Sequence, residues 1–199
     1  VKATDDWTQV PVPEGDAILP GTARLMESDR FAFVIGTQDW HPPGHVSFAS
    51  QHEGVEPFET LTVHGHDDTA WPDHCVQGTR GAELCEDLPW DRASAILRKG
   101  MNPQSDSYST FRNNWDPKGQ RPPTGLAGYL RERRVETVVL CGLARDVCVL
   151  WSAFDAVEAG FRTVFLWDLT RPVIPDSDAR NRAELEKRGV EIRHAKDIE

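Results

Sequence analysis

The sequence predicts an α/β fold, a mostly parallel sheet covered by helices on both faces. Short runs of branched and aromatic residues recur along the chain, and stretches with helical spacing alternate with them. The apolar runs are near-continuous, as in strands that are covered on two sides. Alternation of strand and helix builds βαβ units and a parallel sheet.

Taken in order, the predicted strands are Phe31–Thr37, Ala93–Arg98, Val135–Cys141, Phe161–Trp167 and Val190–His194. Leu61–Val63 is a further short candidate. Thr124–Arg134 reads as a helix whose last turn gathers cations, which suits the helix dipole. Arg145–Ala159 places Val147, Leu150, Trp151, Phe154 and Val157 at helical spacing, and Gly160 closes it. Asp178–Arg188 follows Ser177, a good N-cap residue, and stops at Gly189. Two stretches, Pro42–Pro89 and Met101–Pro123, are irregular and rich in His, Gly, Pro and Asp; loops of that length are usually functional. No repeat or linker interrupts the chain, so residues 1–199 are expected to form one domain.

The chain has 199 residues and a formal net charge of −10. That charge opposes binding to phosphate backbones or to an anionic membrane surface. No apolar run is long enough to span a bilayer, and Val1–Gln9 is polar and acidic rather than leader-like. The four cysteines show no close CxxC spacing, so a reduced, cytoplasmic setting is expected.

Three features point to chemistry. Cys148 falls in the first turn of a predicted helix after a strand, where the helix N-terminus favours a thiolate. An unpaired cysteine can equally be a small buried hydrophobe. Asp39 and His41 lie two apart in an extended segment, so both side chains can reach one ion. His45, His64, His66 and His74 follow. Mixed carboxylate and imidazole ligands suit Zn, Fe or Mn, although surface loops also collect such residues with no ion. Lys99 closes a predicted strand, where it could steady a thiolate or simply reach into water.

Five blocks in register resemble the nicotinamidase/pyrazinamidase family of isochorismatase-like cysteine hydrolases. They are TQDWHPPGHVSFAS (37–50), AWPDHCVQGTRGAEL (70–84), RKGMNPQSDSYSTF (98–111), TGLAGYLRERRV (124–135) and CGLARDVCVLWSAFDAVEAGF (141–161). The resemblance implies an isochorismatase-like hydrolase fold and hydrolysis of a small aromatic amide such as nicotinamide or pyrazinamide. It implies Cys148 as nucleophile and Lys99 as the catalytic lysine. Asp39, His41 and His74 would bind a divalent metal, zinc first and iron or manganese next. Trp71 and Tyr108 would line the ring pocket. Leu143–Ala144 would be a cis peptide beside an oxyanion hole built from the Ala144 and Cys148 N–H groups. Association into a homo-oligomer is also implied. The alternatives are a sister amidase acting on another small amide or carbamoyl compound, and a binding scaffold without turnover.

The family also carries a catalytic Asp in a D-x-Q-N-D-F motif on its first strand. Matching VPEGD (12–16) to the family places that strand before Val1. The base would then lie upstream, be replaced by Asp5 or Asp6, or be missing together with the activity. Arg145 stands where the family often has Thr. It is read as a surface or interface ion pair, or else as a pocket group that favours a carboxylate-bearing amide.

Overall fold

The computed structural model describes residues 12–198. The α/β class is as expected. Strands β1 (Ile35–Asp39), β2 (Thr60–Val63), β3 (His66–Thr69), β4 (Ala95–Lys99), β5 (Thr137–Leu143), β6 (Arg162–Arg171) and β7 (Glu191–Arg193) alternate with helices α1 (Leu19–Glu27), α2 (Leu126–Glu132), α3 (Leu150–Glu158) and α4 (Asp178–Lys187).

Among the described residues the parallel pairs fall into two groups, β1 with β4 and β5–β6–β7. In the first group Asp39 pairs with Lys99, so both strands end together. The strand β5 leads directly into the turn that bears Cys148.

Burial explains this order. Val164, Leu166 and Leu169 of β6 pack on Ile18 and Leu25, while Phe165 faces Leu150, Phe154 and Leu185 on the other side. The apolar run of β6 is therefore covered twice. A third cluster, Phe111, Leu126, Leu130, Val138 and Phe161, also takes in Ile35 and Leu97, so α2 packs between the two sheet groups.

Several boundaries differ from expectation. The strands β1 and β5 end two residues later than expected and β4 one residue later, and β6 continues through Arg171. Helix α1 is not among the expected helices; Pro20 stands in its first turn. Proline in the first helical turn gives up an N–H that has no partner there. Gly21 is required by close packing, since a Cβ on it would sit 2.4 Å from Leu169 Cδ2. Ser177 does not cap α4; its hydroxyl donates to the Ile174 carbonyl instead. Trp151 leaves the expected buried stripe and is 39% exposed. No described helix is long and apolar enough to cross a membrane.

Candidate active site

Four segments converge where β1, β4 and β5 end. Lys99 is the last residue of β4, and its side chain is buried rather than solvated. Its Nζ stands 2.5 Å from Asp39 Oδ1 and donates to the Ser107 carbonyl at 2.7 Å and to Cys148 Sγ at 3.3 Å. Burial alone would lower this ammonium's pKa. Asp39 and Cys148 outweigh it and raise the value, so Lys99 stays protonated.

The thiol is held the other way. Burial pushes Cys148 up to about 11, with Lys99 opposing and Asp39 adding to the rise. Among the described residues, Lys99 supplies its side-chain hydrogen bond. Asp5 and Asp6 lie outside the described residues. The Cys148 turn is one π-helical turn, Arg145–Val149, rather than the start of a regular helix. The Leu143–Ala144 peptide before it is cis, as expected. Ser152 Oγ donates to the Cys148 carbonyl at 2.6 Å and accepts the Thr110 N–H at 3.0 Å, joining the turn to the loop that bears Tyr108.

Asp39, His41 and His74 do come together, with one ligand atom from each inside a 4.8 Å group. The geometry suits an ion. His41 Nδ1 meets the Gly100 carbonyl at 3.0 Å and His74 Nδ1 meets the Pro72 carbonyl at 2.8 Å, which leaves both Nε2 atoms as ligands. The Lys99 ion pair approaches Asp39 Oδ1 off the hydrogen-bond directions, so among the described residues this buried oxygen has no aligned donor. Burial would raise the Asp39 carboxyl, but Lys99 and His41 bring it below its ordinary value. Burial lowers His41 to about 4, against the pull of Asp106 and Asp39, so the imidazole is neutral and able to bind metal. Gly100 has φ 65°, and a Cβ there would lie 2.3 Å from His41 Cε1; only glycine lets that ring sit where it does.

A second group, His41, His45 and Asp106, was not foreseen as a set. His45 is fully buried and its Nε2 has no partner among the described residues. Its place in the same His-rich stretch was the available signal; nothing pointed to Asp106, 61 residues away in sequence.

Trp71 and Tyr108 form an aromatic corner, with ring centroids 6.1 Å apart at 88°. Trp71 lies 6.2 Å from the His74 ring and Tyr108 lies 6.4 Å from Trp151. The corner therefore spans the side from the metal-capable trio toward the helix of Cys148. His64 and His66 are not simply solvated: His64 Nε2 meets the Gln104 carbonyl at 2.6 Å, and His66 stacks on Trp115 at 4.1 Å. Arg145 points away from the corner. It is buried, pairs with Asp178 and donates to Thr170 Oγ1, Thr170 O and Trp167 O, so the surface-pair and pocket readings both give way to a buried structural one.

Comparison with known proteins accords with this geometry. Residues 7–197 match the isochorismatase domain family. A nicotinamidase of Acinetobacter baylyi is 41% identical over 81% of this chain and 73% of its own length. A solved structure of an Acinetobacter baumanii nicotinamidase/pyrazinamidase superposes with a TM-score of 0.88 at 38% identity, covering 95% of this chain and 89% of that one. A pyrazinamidase of Pyrococcus horikoshii in complex with zinc gives 0.73 at 31% identity and 95% coverage of both chains. The chain belongs to the isochorismatase domain family. Within that family it is an amidohydrolase of the nicotinamidase type, acting on C–N amide bonds.

Proposed function

We propose that this amidohydrolase converts nicotinamide, and similar aromatic amides such as pyrazinamide, to the acid and ammonia through a thioester on Cys148. The observation that carries the reading is the placement of one protonated lysine, Lys99, against both Cys148 Sγ and Asp39. Asp39, His41 and His74 would hold a divalent ion, with zinc favoured by the donor set and by the zinc complex of the Pyrococcus relative. Such an ion supplies Lewis acidity and a fixed point for a ring nitrogen.

The steps at this chain's own residues follow. Trp71 and Tyr108 hold the ring edgewise and exclude water. The Cys148 thiol loses its proton to a base sought outside the described residues, where Asp5 and Asp6 lie. Lys99 steadies the resulting thiolate. The sulfur attacks the carboxamide carbon, and the N–H groups of Ala144 and Cys148 receive the oxyanion. The C–N bond breaks as the base returns that proton to the leaving nitrogen, so ammonia departs; water then cleaves the thioester, its oxygen going to the acid and a proton restoring the thiol. We also propose that residues 1–199 act as one domain, in the cytoplasm, as a homo-oligomer.

Ammonia release from nicotinamide tests the reading, with Cys148→Ala run alongside. Turnover in the parent chain and none in the variant is expected. Residual turnover in Cys148→Ala would exclude the thioester route.

A further inference from the structure

The aromatic corner is built on a carboxylate that the mechanism does not use. Asp68 lies on β3, and its Oδ1 accepts the Tyr108 hydroxyl in a short hydrogen bond. The same oxygen accepts the Thr69 N–H at 2.8 Å, and Oδ2 accepts Asn114 Nδ2 at 3.2 Å. Tyr108 Oη in turn accepts Trp71 Nε1–H at 2.9 Å. A tyrosine hydroxyl has one proton to donate, and an indole has one N–H. Both hydrogens are engaged inside this network, and the Tyr108 oxygen also faces the Thr69 N–H at 3.4 Å, so neither ring has a polar hydrogen or an open lone pair left for a ligand.

We infer that Asp68 is the specificity-determining positioning residue of the ring pocket. By taking the Tyr108 hydroxyl it fixes Tyr108, and through it Trp71, so that both walls present π surface alone. The ligand class this fits is a planar aromatic carboxamide without polar substituents on the edges facing the two walls. A ring hydroxyl or amine there would lose its water and find no partner. Asp68 reaches the ring walls through Tyr108 and Trp71; it stands on the hairpin β2–β3, and among the described residues it has no hydrogen bond to Lys99 or Cys148. Its effect therefore falls on ring binding rather than on acyl transfer. The inference rests on the ring-pocket reading above.

The test compares the parent chain, Asp68→Asn and Asp68→Leu. Nicotinate dissociation constants are read by titration calorimetry, and KM and kcat are read on nicotinamide. Asparagine keeps an acceptor for the Tyr108 hydroxyl but gives up the contact with Asn114 Nδ2, since Asn114 Oδ1 is held by the Tyr108 N–H at 3.1 Å. Leucine removes the acceptor and leaves the hydroxyl unpaired. Asp68→Leu is expected to weaken nicotinate binding and raise KM roughly tenfold, with kcat changed far less. Asp68→Asn, which keeps the bond to Tyr108 alone, is expected to recover a clear part of that loss. Three results would overturn the inference: unchanged binding in Asp68→Leu, a fall in kcat with KM intact, or equal damage in both variants. A parent chain that binds nicotinate but releases no ammonia would sink the amidase reading, while the calorimetric comparison would still decide the role of Asp68.

Discussion

Lys99 Nζ and Asp39 Oδ1 stand 2.5 Å apart at the paired ends of two parallel strands, with Cys148 Sγ 3.3 Å from the same ammonium. One cation thus faces both the proposed nucleophile and a metal-capable carboxylate. Lys99→Met is expected to cut turnover by about 10²–10³-fold, the usual loss when one preorganised charge donor is removed. Ammonia release at saturating nicotinamide checks this, with circular dichroism to confirm the fold.

The reactivity of Cys148 should follow its raised pKa. Burial puts the thiol at about 11, against the pull of Lys99, so at neutral pH the unreactive protonated form dominates. In ion-free chain, alkylation of Cys148 should rise about tenfold per pH unit between pH 7 and 10, because the thiolate fraction does. Lys99→Met removes the charge that favours thiolate and should slow alkylation at pH 9. Peptide mapping after iodoacetamide treatment reads both, and a flat profile would contradict the assignment.

Ion binding should depend on Asp39, His41 and His74 together. His41→Ala or His74→Ala is expected to lower zinc affinity more than about tenfold, since each removes a ligand atom and its oriented carbonyl partner. Chelator competition measures this without reference to activity. Affinity unchanged in both variants would rule the trio out.

Gly100→Ala places a methyl into the His41 ring and forces alanine to φ 65°. A cost of about 1–3 kcal/mol is expected from the backbone conformation alone, and reduced zinc uptake should accompany it. Thermal melting and metal content report the two effects separately.

The Asp155 carboxylate, 1% exposed, takes two hydrogen bonds from Arg121 at 3.0 and 2.8 Å. Asp155→Ala would strand the guanidinium beside α3, and a loss of about 3–5 kcal/mol is expected. Urea unfolding gives the value; a midpoint equal to the parent's would mean the pair adds nothing.

Apart from β3, the strands were legible from their apolar runs, α3 from its helical spacing, and α2 and α4 from the residues at their ends, whereas α1, with Pro20 in its first turn, was not. Strand β3 was hidden for another reason. Its sequence, HDDT, has no apolar alternation and becomes a strand by pairing with β2. At the site, Asp39, His41, His74, Lys99 and Cys148 were named from position and resemblance, and the fold brings them together. The burial of Lys99 and Arg145 could not be read from the chain. Each depends on partners far away in sequence, Cys148 for one and Asp178 for the other. Asp68 escaped notice for the same reason, since its meaning lies in Tyr108, 40 residues on.

The anchoring of the nucleophile turn separates two kinds of change open to this protein. Arg145 ties the turn to the end of β6 and to α4, and Asp146 accepts the N–H groups of Val173 and Ile174 at 2.9 and 2.8 Å. The Cys148 turn is thereby fixed from behind, by residues outside the proposed ring pocket. The ring walls stand on a hairpin and a loop joined to each other by the His64 and His66 contacts. Substitutions in those two segments can re-aim selectivity while the nucleophile stays where it is. Divergence to a new amide within this scaffold is thus expected to run through residues 58–71 and 111–123, while Ser107 and Thr110 stay tied to Lys99 and to the Cys148 turn.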